Sequence, residues 1–221
     1  FKEHFSATRQ RLQPGVKKIL ETIQRDASVL DLGCGNGHFL REISRRGHKQ
    51  PLLGVDFSLP LRRDAREASV PGVEFREADL TKLSVISDQL SVIDNWSLIA
   101  AFAVLHHIPS TEMRLDILKA VRKLLKEDGR FILSNWQFLN SPKLKSRIQS
   151  WDKVGIDEND LDEGDYLLDC RSGGKGLRYA HQFSAEELFG LAGQAEMRVI
   201  ASFSSDGDSG NLGLYQIWEK R

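Results

Sequence analysis

Apolar and polar positions alternate between two periods along this chain. Residues 27–32 ("ASVLDL"), 51–58 ("PLLGVDFS"), 73–80 ("VEFREADL"), 97–109 ("SLIAAFAVLHHIP") and 130–138 ("RFILSNWQF") carry short apolar runs. Such runs, bounded by turn residues, predict buried strands. Between them the spacing becomes helical. "PGVKKILETIQR" (14–25) repeats at Val16, Ile19, Leu20 and Ile23, and "HFLREISRRG" (38–47) closes on Gly47. "LPLRRDAREAS" (59–69) and "STEMRLDILKAVRKLLKEDG" (110–129, closed by Gly129) also predict helices. "SAEELFGLAGQAE" (184–196) opens with a Ser-x-x-Glu capping box, and "MRVIASF" and "NLGLYQIWEK" predict two last strands. Strand–helix alternation of this kind implies a mostly parallel sheet with right-handed crossovers. The pattern breaks between about 139 and 182, where "DENDLDEGD" and "RSGGKG" predict loop. We expect one domain over 1–221, with an N-terminal helical segment (1–27) and an insertion at about 139–182.

Composition narrows the possibilities. The 31 basic and 31 acidic side chains cancel, so binding to nucleic acid must come from local patches. No apolar run reaches the roughly 18 residues that would span a membrane. The charged start "FKEHFSATRQ" predicts no signal peptide. Cys34 and Cys170 have no metal-ligand spacing and predict free thiols in a reducing compartment, cytoplasmic or nuclear, with no metal site.

Candidate chemistry sits in "VLDLGCGNGHFL" (29–40). A strand ends in Asp31, and Gly33, Gly35 and Gly37 follow before a helix. A glycine turn there lets the backbone approach a ligand closely. The dinucleotide fingerprint would need its third glycine at position 38, which is His38. The segment instead resembles motif I of the class I S-adenosylmethionine (SAM) methyltransferases. The resemblance covers residues 28–136 and implies a Rossmann-like α/β fold with a seven-stranded, mostly parallel sheet. It implies SAM as cofactor, with S-adenosylhomocysteine as product. Asp31 would position the ammonium group, Asp56 would accept from both ribose hydroxyls, and Phe57 would line the adenine. Asp79 would meet the adenine amino group, with a backbone contact from Leu80. Ala103 follows the fourth strand and would complete the cofactor set.

"EHFSATR" (3–9) and "RYAH" (178–181) resemble one branch, the methyltransferases that esterify 5-carboxymethyluridine at the tRNA wobble position. That resemblance implies tRNA as partner and, as in eukaryotic members, a small zinc-binding activator subunit at the sheet edge. The chain departs from the branch at "LQPGV", where a Pro-Trp dipeptide is usual, and across the insertion. A carboxylate acceptor is already ionised at neutral pH and needs placement more than a base. Arginine is the best fork for it. Arg9 and Arg178 are the candidates, supported by Tyr179 and His181. His106 and His107 follow the fourth strand, and Asn135 and Trp136 end the fifth, all where acceptors sit in this fold. Two other functions stay open: methylation of a small metabolite, and a non-catalytic binding module on the same fold.

Overall fold

The computed structural model describes residues 11–58, 70–90, 95–170 and 176–221. The helix expected at 59–69 and the segment 3–9 lie outside the described residues. Among the described residues, ten strands form two sheets. The larger contains β1 (Val29–Leu32), β2 (Leu52–Asp56), β3 (Val73–Glu77), β4 (Trp96–Phe102), β5 (Leu125–Trp136), β9 (Met197–Ser205) and β10 (Gly213–Lys220). Its order is β3-β2-β1-β4-β5-β10-β9. The first five strands pair in parallel, and β10 runs antiparallel between β5 and β9. This is the class I SAM methyltransferase fold that the sequence predicts. β1 and β2 are buried at every position, as expected for parallel strands covered on both faces.

Helices supply that cover. On one face lie α1 (Pro14–Thr22) and α2 (His38–Arg45), whose Val16, Ile19, Leu20, Phe39, Leu40 and Ile43 join Val29, Leu98 and Tyr215 in one core. The opposite face carries α3 (Leu83–Leu90), α4 (Thr111–Leu124) and α6 (Ala185–Gln194) over Leu30, Ile99, Phe131 and Trp218. The apolar positions that predict the first two helices are the ones that pack.

Three elements differ from the pattern. α3 has no counterpart in the sequence prediction, because its eight residues give too few apolar repeats to register. The helix expected to run to Gly129 ends at Leu124. Leu125 pairs with Trp96 and Arg130 with Leu98, so residues 126–129 bulge within β5. Tertiary pairing overrides the helical propensity of "KLLKED" there. The insertion holds more structure than loop. After α5 (Pro142–Lys145), β6 (Ile148–Gln149), β7 (Asp165–Cys170) and β8 (Gly176–His181) make an antiparallel sheet. It packs Leu168 and Ala180 onto Phe138, with Trp136 and Tyr166 against the cluster. Residues 157–164 stay outside the sheets, as "DENDLDEG" predicts, with one 3-10 turn at Glu158–Asp160.

α1 is clasped at its first turn. The Gly15 N–H donates to Asp206 Oδ1 (2.9 Å), and the Tyr215 hydroxyl donates to Asp206 Oδ2 (2.6 Å). The Tyr215 ring lies where any Cβ at Gly15 would stand. This clasp sits beside Gly213, which pairs with Trp136 at the carboxyl end of β5. The described chain therefore begins at the carboxyl edge of the sheet.

Candidate active site

The turn after β1 crosses that carboxyl edge. Gly33, Gly35 and Gly37 have φ of +69°, +56° and +71°, a region that glycine enters without a Cβ penalty. The Gly33 and Cys34 N–H groups donate to the Val55 carbonyl (2.8 and 3.0 Å) and tie the turn to β2. A Cβ at Gly33 would come within 2.6 Å of Val104 Cγ2. The turn after β4 thus packs directly on the glycine turn.

Two carboxylates organise this edge. Asp56 accepts from the Gly35 N–H (2.9 Å) and the Ser58 N–H (2.8 Å), joining the turns after β1 and β2. Asp31 is 3% exposed, and its carboxyl accepts no hydrogen bond among the described residues. Burial, and then the nearby Asp56 charge, raise its pKa well above the ordinary carboxylate range. Neither acid has an ion-pair partner among the described residues. Asp79 ends the next turn, where it accepts from Thr81 N (3.0 Å) and Oγ1 (2.7 Å). Those bonds lower its pKa and keep it ionised. Leu80 beside it is buried, and Phe57 is 75% exposed. Ala103 takes φ +57°, held by its N–H to the Ser134 carbonyl (2.9 Å) and Oγ (3.1 Å). A left-handed non-glycine residue is a strained conformation, and such strain gathers at functional edges.

SAM fits this set. An ammonium would find an uncompensated carboxylate at Asp31, and hydroxyl donors would find lone pairs of Asp56 left over beside Gly35 and Ser58.

On the acceptor side the structure brings some candidates together and sets others apart. His106 is buried, and its Nδ1 accepts from the Trp136 N–H (3.3 Å). The His107 ring lies tilted against it, with centroids 4.2 Å apart, and His107 Nδ1 is 3.3 Å from the Tyr179 carbonyl oxygen. The turn after β4 therefore touches β8. One residue away, the Arg178 guanidinium lies over the Trp136 ring at 4.9 Å. Arg9 lies outside the described residues. Asn135 is 1% exposed, and neither amide atom finds a partner.

His181 and Tyr179 take a different place from the one expected. The His181 ring is fully buried, with Nδ1 2.6 Å from Asp165 and Nε2 2.9 Å from Glu187. Both ring nitrogens are engaged, so His181 does not face an acceptor. The Tyr179 hydroxyl donates to Asp165 (2.6 Å). Arg114 completes the cluster. It has no exposed surface and donates to the Ile108 carbonyl (3.0 Å), to Asp165 (3.3 Å) and to the Tyr179 hydroxyl. Burial would raise the Asp165 pKa. Bonds from Tyr179 and His181, and the charges of His181 and Arg114, outweigh it and hold the carboxyl below its ordinary value. This network bolts the small sheet to α4 and α6. The capping box is half formed for the same reason: Ser184 Oγ accepts from the Glu187 N–H (3.0 Å), but the Glu187 carboxylate turns to His181. Sequence reasoning missed Arg114. Its signal was an arginine in register with Ile117, Leu118 and Val121, on the buried face of a helix.

The methyltransferase-domain family matches residues 4–161, well over half of the chain. Among solved structures, a SAM-dependent methyltransferase of Methanosarcina mazei superposes with a TM-score of 0.71 at 23% identity, covering 95% of this chain and 98% of that one. The complex of DhpI with SAM and HEP superposes with a TM-score of 0.65 at 16% identity, covering 99% and 88%. The fold and the glycine turn define a class I SAM-dependent methyltransferase, whose methyl donor is SAM. The chain belongs to the methyltransferase-domain family. It is also 29% identical, over 89% of its length, to an Encephalitozoon cuniculi protein described as a methyltransferase, 82% of which is covered. It is 29% identical over 60% of its length to the tRNA (carboxymethyluridine(34)-5-O)-methyltransferase ALKBH8 of Mus musculus, and 28% to an Arabidopsis thaliana enzyme of that description. It spans only 18% and 30% of those two longer proteins.

Proposed function

We propose that this protein transfers the methyl group of SAM to the carboxylate of a 5-carboxymethyl-type wobble uridine in tRNA. The observation that carries this reading is Arg178, a guanidinium laid on Trp136 beside the turn after β4, with no acid to pair with among the described residues. The two tRNA relatives point the same way. SAM supplies an electrophilic methyl on a sulfonium. The chain's own residues do the placing: Asp31 takes the ammonium, Asp56 the ribose hydroxyls, and Asp79 and Leu80 the adenine, with Phe57 against its face. The strained Ala103 shapes the floor beneath the donor. Arg178, joined by Arg9, holds the acceptor carboxylate in line, and His106 and His107 wall the same side. Nothing needs deprotonating, so rate enhancement comes from orientation and exclusion of water. Nucleoside mass spectrometry of bulk tRNA incubated with the protein and labelled SAM tests this. Labelled 5-methoxycarbonylmethyluridine is the expected product, and no label in any tRNA nucleoside would overturn the reading. The zero net charge favours a second reading, a small carboxylic acid acceptor. Label appearing in a metabolite extract but not in tRNA would establish it.

A further inference from the structure

The insertion divides by charge. No Asp or Glu stands between Arg130 and Trp151, and Lys143, Lys145 and Arg147 fall close together in that stretch. From Asp152 to Asp165 acids predominate. Several of those acids are used within the protein. Asp162 accepts from Thr111 N (3.0 Å) and Oγ1 (3.0 Å), and Asp165 belongs to the network of Tyr179, His181 and Arg114. Asp152 and Asp157 bond Ser150 and Asn159 in their own turns. The three cations are left over. None of them meets a carboxylate among the described residues, although Arg76, Arg122, Lys123, Arg198 and Lys220 each do.

Local structure holds the three at the surface. Ser141 caps α5: its Oγ accepts from the Leu144 N–H (3.4 Å) and its carbonyl from the Lys145 N–H (2.8 Å). The Leu144 carbonyl then accepts from the Arg147 N–H (3.0 Å). Leu144 and Ile148 pack on Phe138, Leu168 and Ala180. Lys143 and Lys145 flank Leu144 and are exposed, while Arg147 is half-buried. The Arg147 Nε is buried without a hydrogen-bond partner. Trp136 packs on the same apolar cluster, under the Arg178 guanidinium at 4.9 Å. The basic turn and the end of β5 therefore share one footing.

Unpaired cations beside an aromatic ring are how proteins hold a single nucleic-acid strand: the charges follow the phosphates and the ring takes a base. A lipid surface fits less well. No large apolar side chain from 139 to 150 is exposed, so the turn has nothing to insert into a bilayer.

We propose that Lys143, Lys145 and Arg147 form a phosphate-binding surface for the RNA strand that carries the acceptor base. RNA as the partner rests on the proposed function, and the test separates the failure of either. Phosphate contacts of this kind position the strand and carry no sequence information.

The measurement is binding of total tRNA to the full chain across a salt series. The variant Lys143→Gln/Lys145→Gln/Arg147→Gln should bind about tenfold or more weakly at low salt, and its slope of log affinity against log salt should flatten by about 2–3. The double variant Lys143→Gln/Lys145→Gln, which spares the half-buried arginine, should flatten it by about 1–2. A control, Arg25→Gln/Lys49→Gln/Lys119→Gln, removes three exposed cations elsewhere and should keep the wild-type slope. S-adenosylhomocysteine affinity, measured by calorimetry, should hold in all variants and shows that they fold. Wild-type affinity and slope in both the triple and the double variant would overturn the surface. So would an equal loss in the control, which would put the effect in total charge. Binding to vesicles of phosphatidylcholine and phosphatidylserine that depends on these three residues, without binding to tRNA, would also overturn it. Patch-dependent tRNA binding with no label in any tRNA nucleoside would sink the methylation reading and leave the RNA surface standing.

Discussion

Asp31, proposed above to meet the SAM ammonium, stands out by what it lacks. A buried carboxyl with a second acid nearby and no hydrogen bond strains the free protein. Its pKa is raised, so its contribution to stability is full below the ordinary carboxylate pKa and is lost as pH rises through the folded value. At neutral pH this carboxyl therefore works against the fold. Asp31→Asn removes that burden and also removes the anion that meets the SAM ammonium. The variant should melt higher than the wild type in free form at pH 7. It should bind S-adenosylhomocysteine about ten- to a hundredfold more weakly, the loss expected for a charged hydrogen bond. Thermal melts and calorimetry check both halves. An unchanged affinity would take Asp31 out of the donor site. The sequence pointed to this aspartate by position alone; its burial and lack of partners came from the fold.

At the scale of elements, two contacts decide where the edges of the site stand. The first is the clasp of α1 on Tyr215 and Asp206. Gly15→Ala puts a methyl group into the Tyr215 ring, and overpacking of this kind costs about 1–3 kcal/mol. Urea melts should show that loss. The same substitution at Gly190, in α6, where nothing stands within 4 Å, should not destabilise. The second contact is the Arg114 network that fastens β7 and β8. Arg114→Met strips Asp165 and Tyr179 of a shared buried partner. Removing one side of a buried charge pair typically costs about 3–5 kcal/mol. Hydrogen exchange should then show faster opening of residues 165–170 and 176–181, with β1 and β2 less affected. Uniform loss of protection across the larger sheet would mean that the insertion does not open as a separate unit. The edges of the larger sheet are β3 and β9, and β3 exposes most of its side chains, as its polar sequence predicts for a strand that stands at an edge unaided.

Across the whole molecule, acid should act first through the insertion. Asp165 has a lowered pKa, so its stabilising contribution is present above the ordinary aspartate value and is lost as pH falls through the folded one. Unfolding free energy from urea melts should decline as pH drops below about 4. Asp165→Asn should be less stable at neutral pH and lose less on acidification. If the variant kept the wild-type pH slope, the network would not be the acid-sensitive joint. The even charge balance places any grip on RNA in local groups such as Arg178 rather than in the field of the whole protein.

Strand–helix alternation, the glycine turn and the acids that end β1 and β2 were legible in the sequence. They are local: period, turn chemistry and spacing depend on neighbours along the chain. The same pattern sufficed for the larger sheet and for its described flanking helices except α3, whose eight residues carry too few apolar repeats. Contacts between distant segments were not legible. Nothing near Lys126 predicts that residues 126–129 bulge against Trp96 instead of prolonging α4. Nothing near His181 shows that Asp165 and Glu187 claim both of its nitrogens and draw it away from the acceptor side. Local sequence determined which segments form the fold and where the donor turn lies. Tertiary packing decided which polar side chains are consumed in holding the structure and which remain unpaired at the edge where an acceptor must arrive.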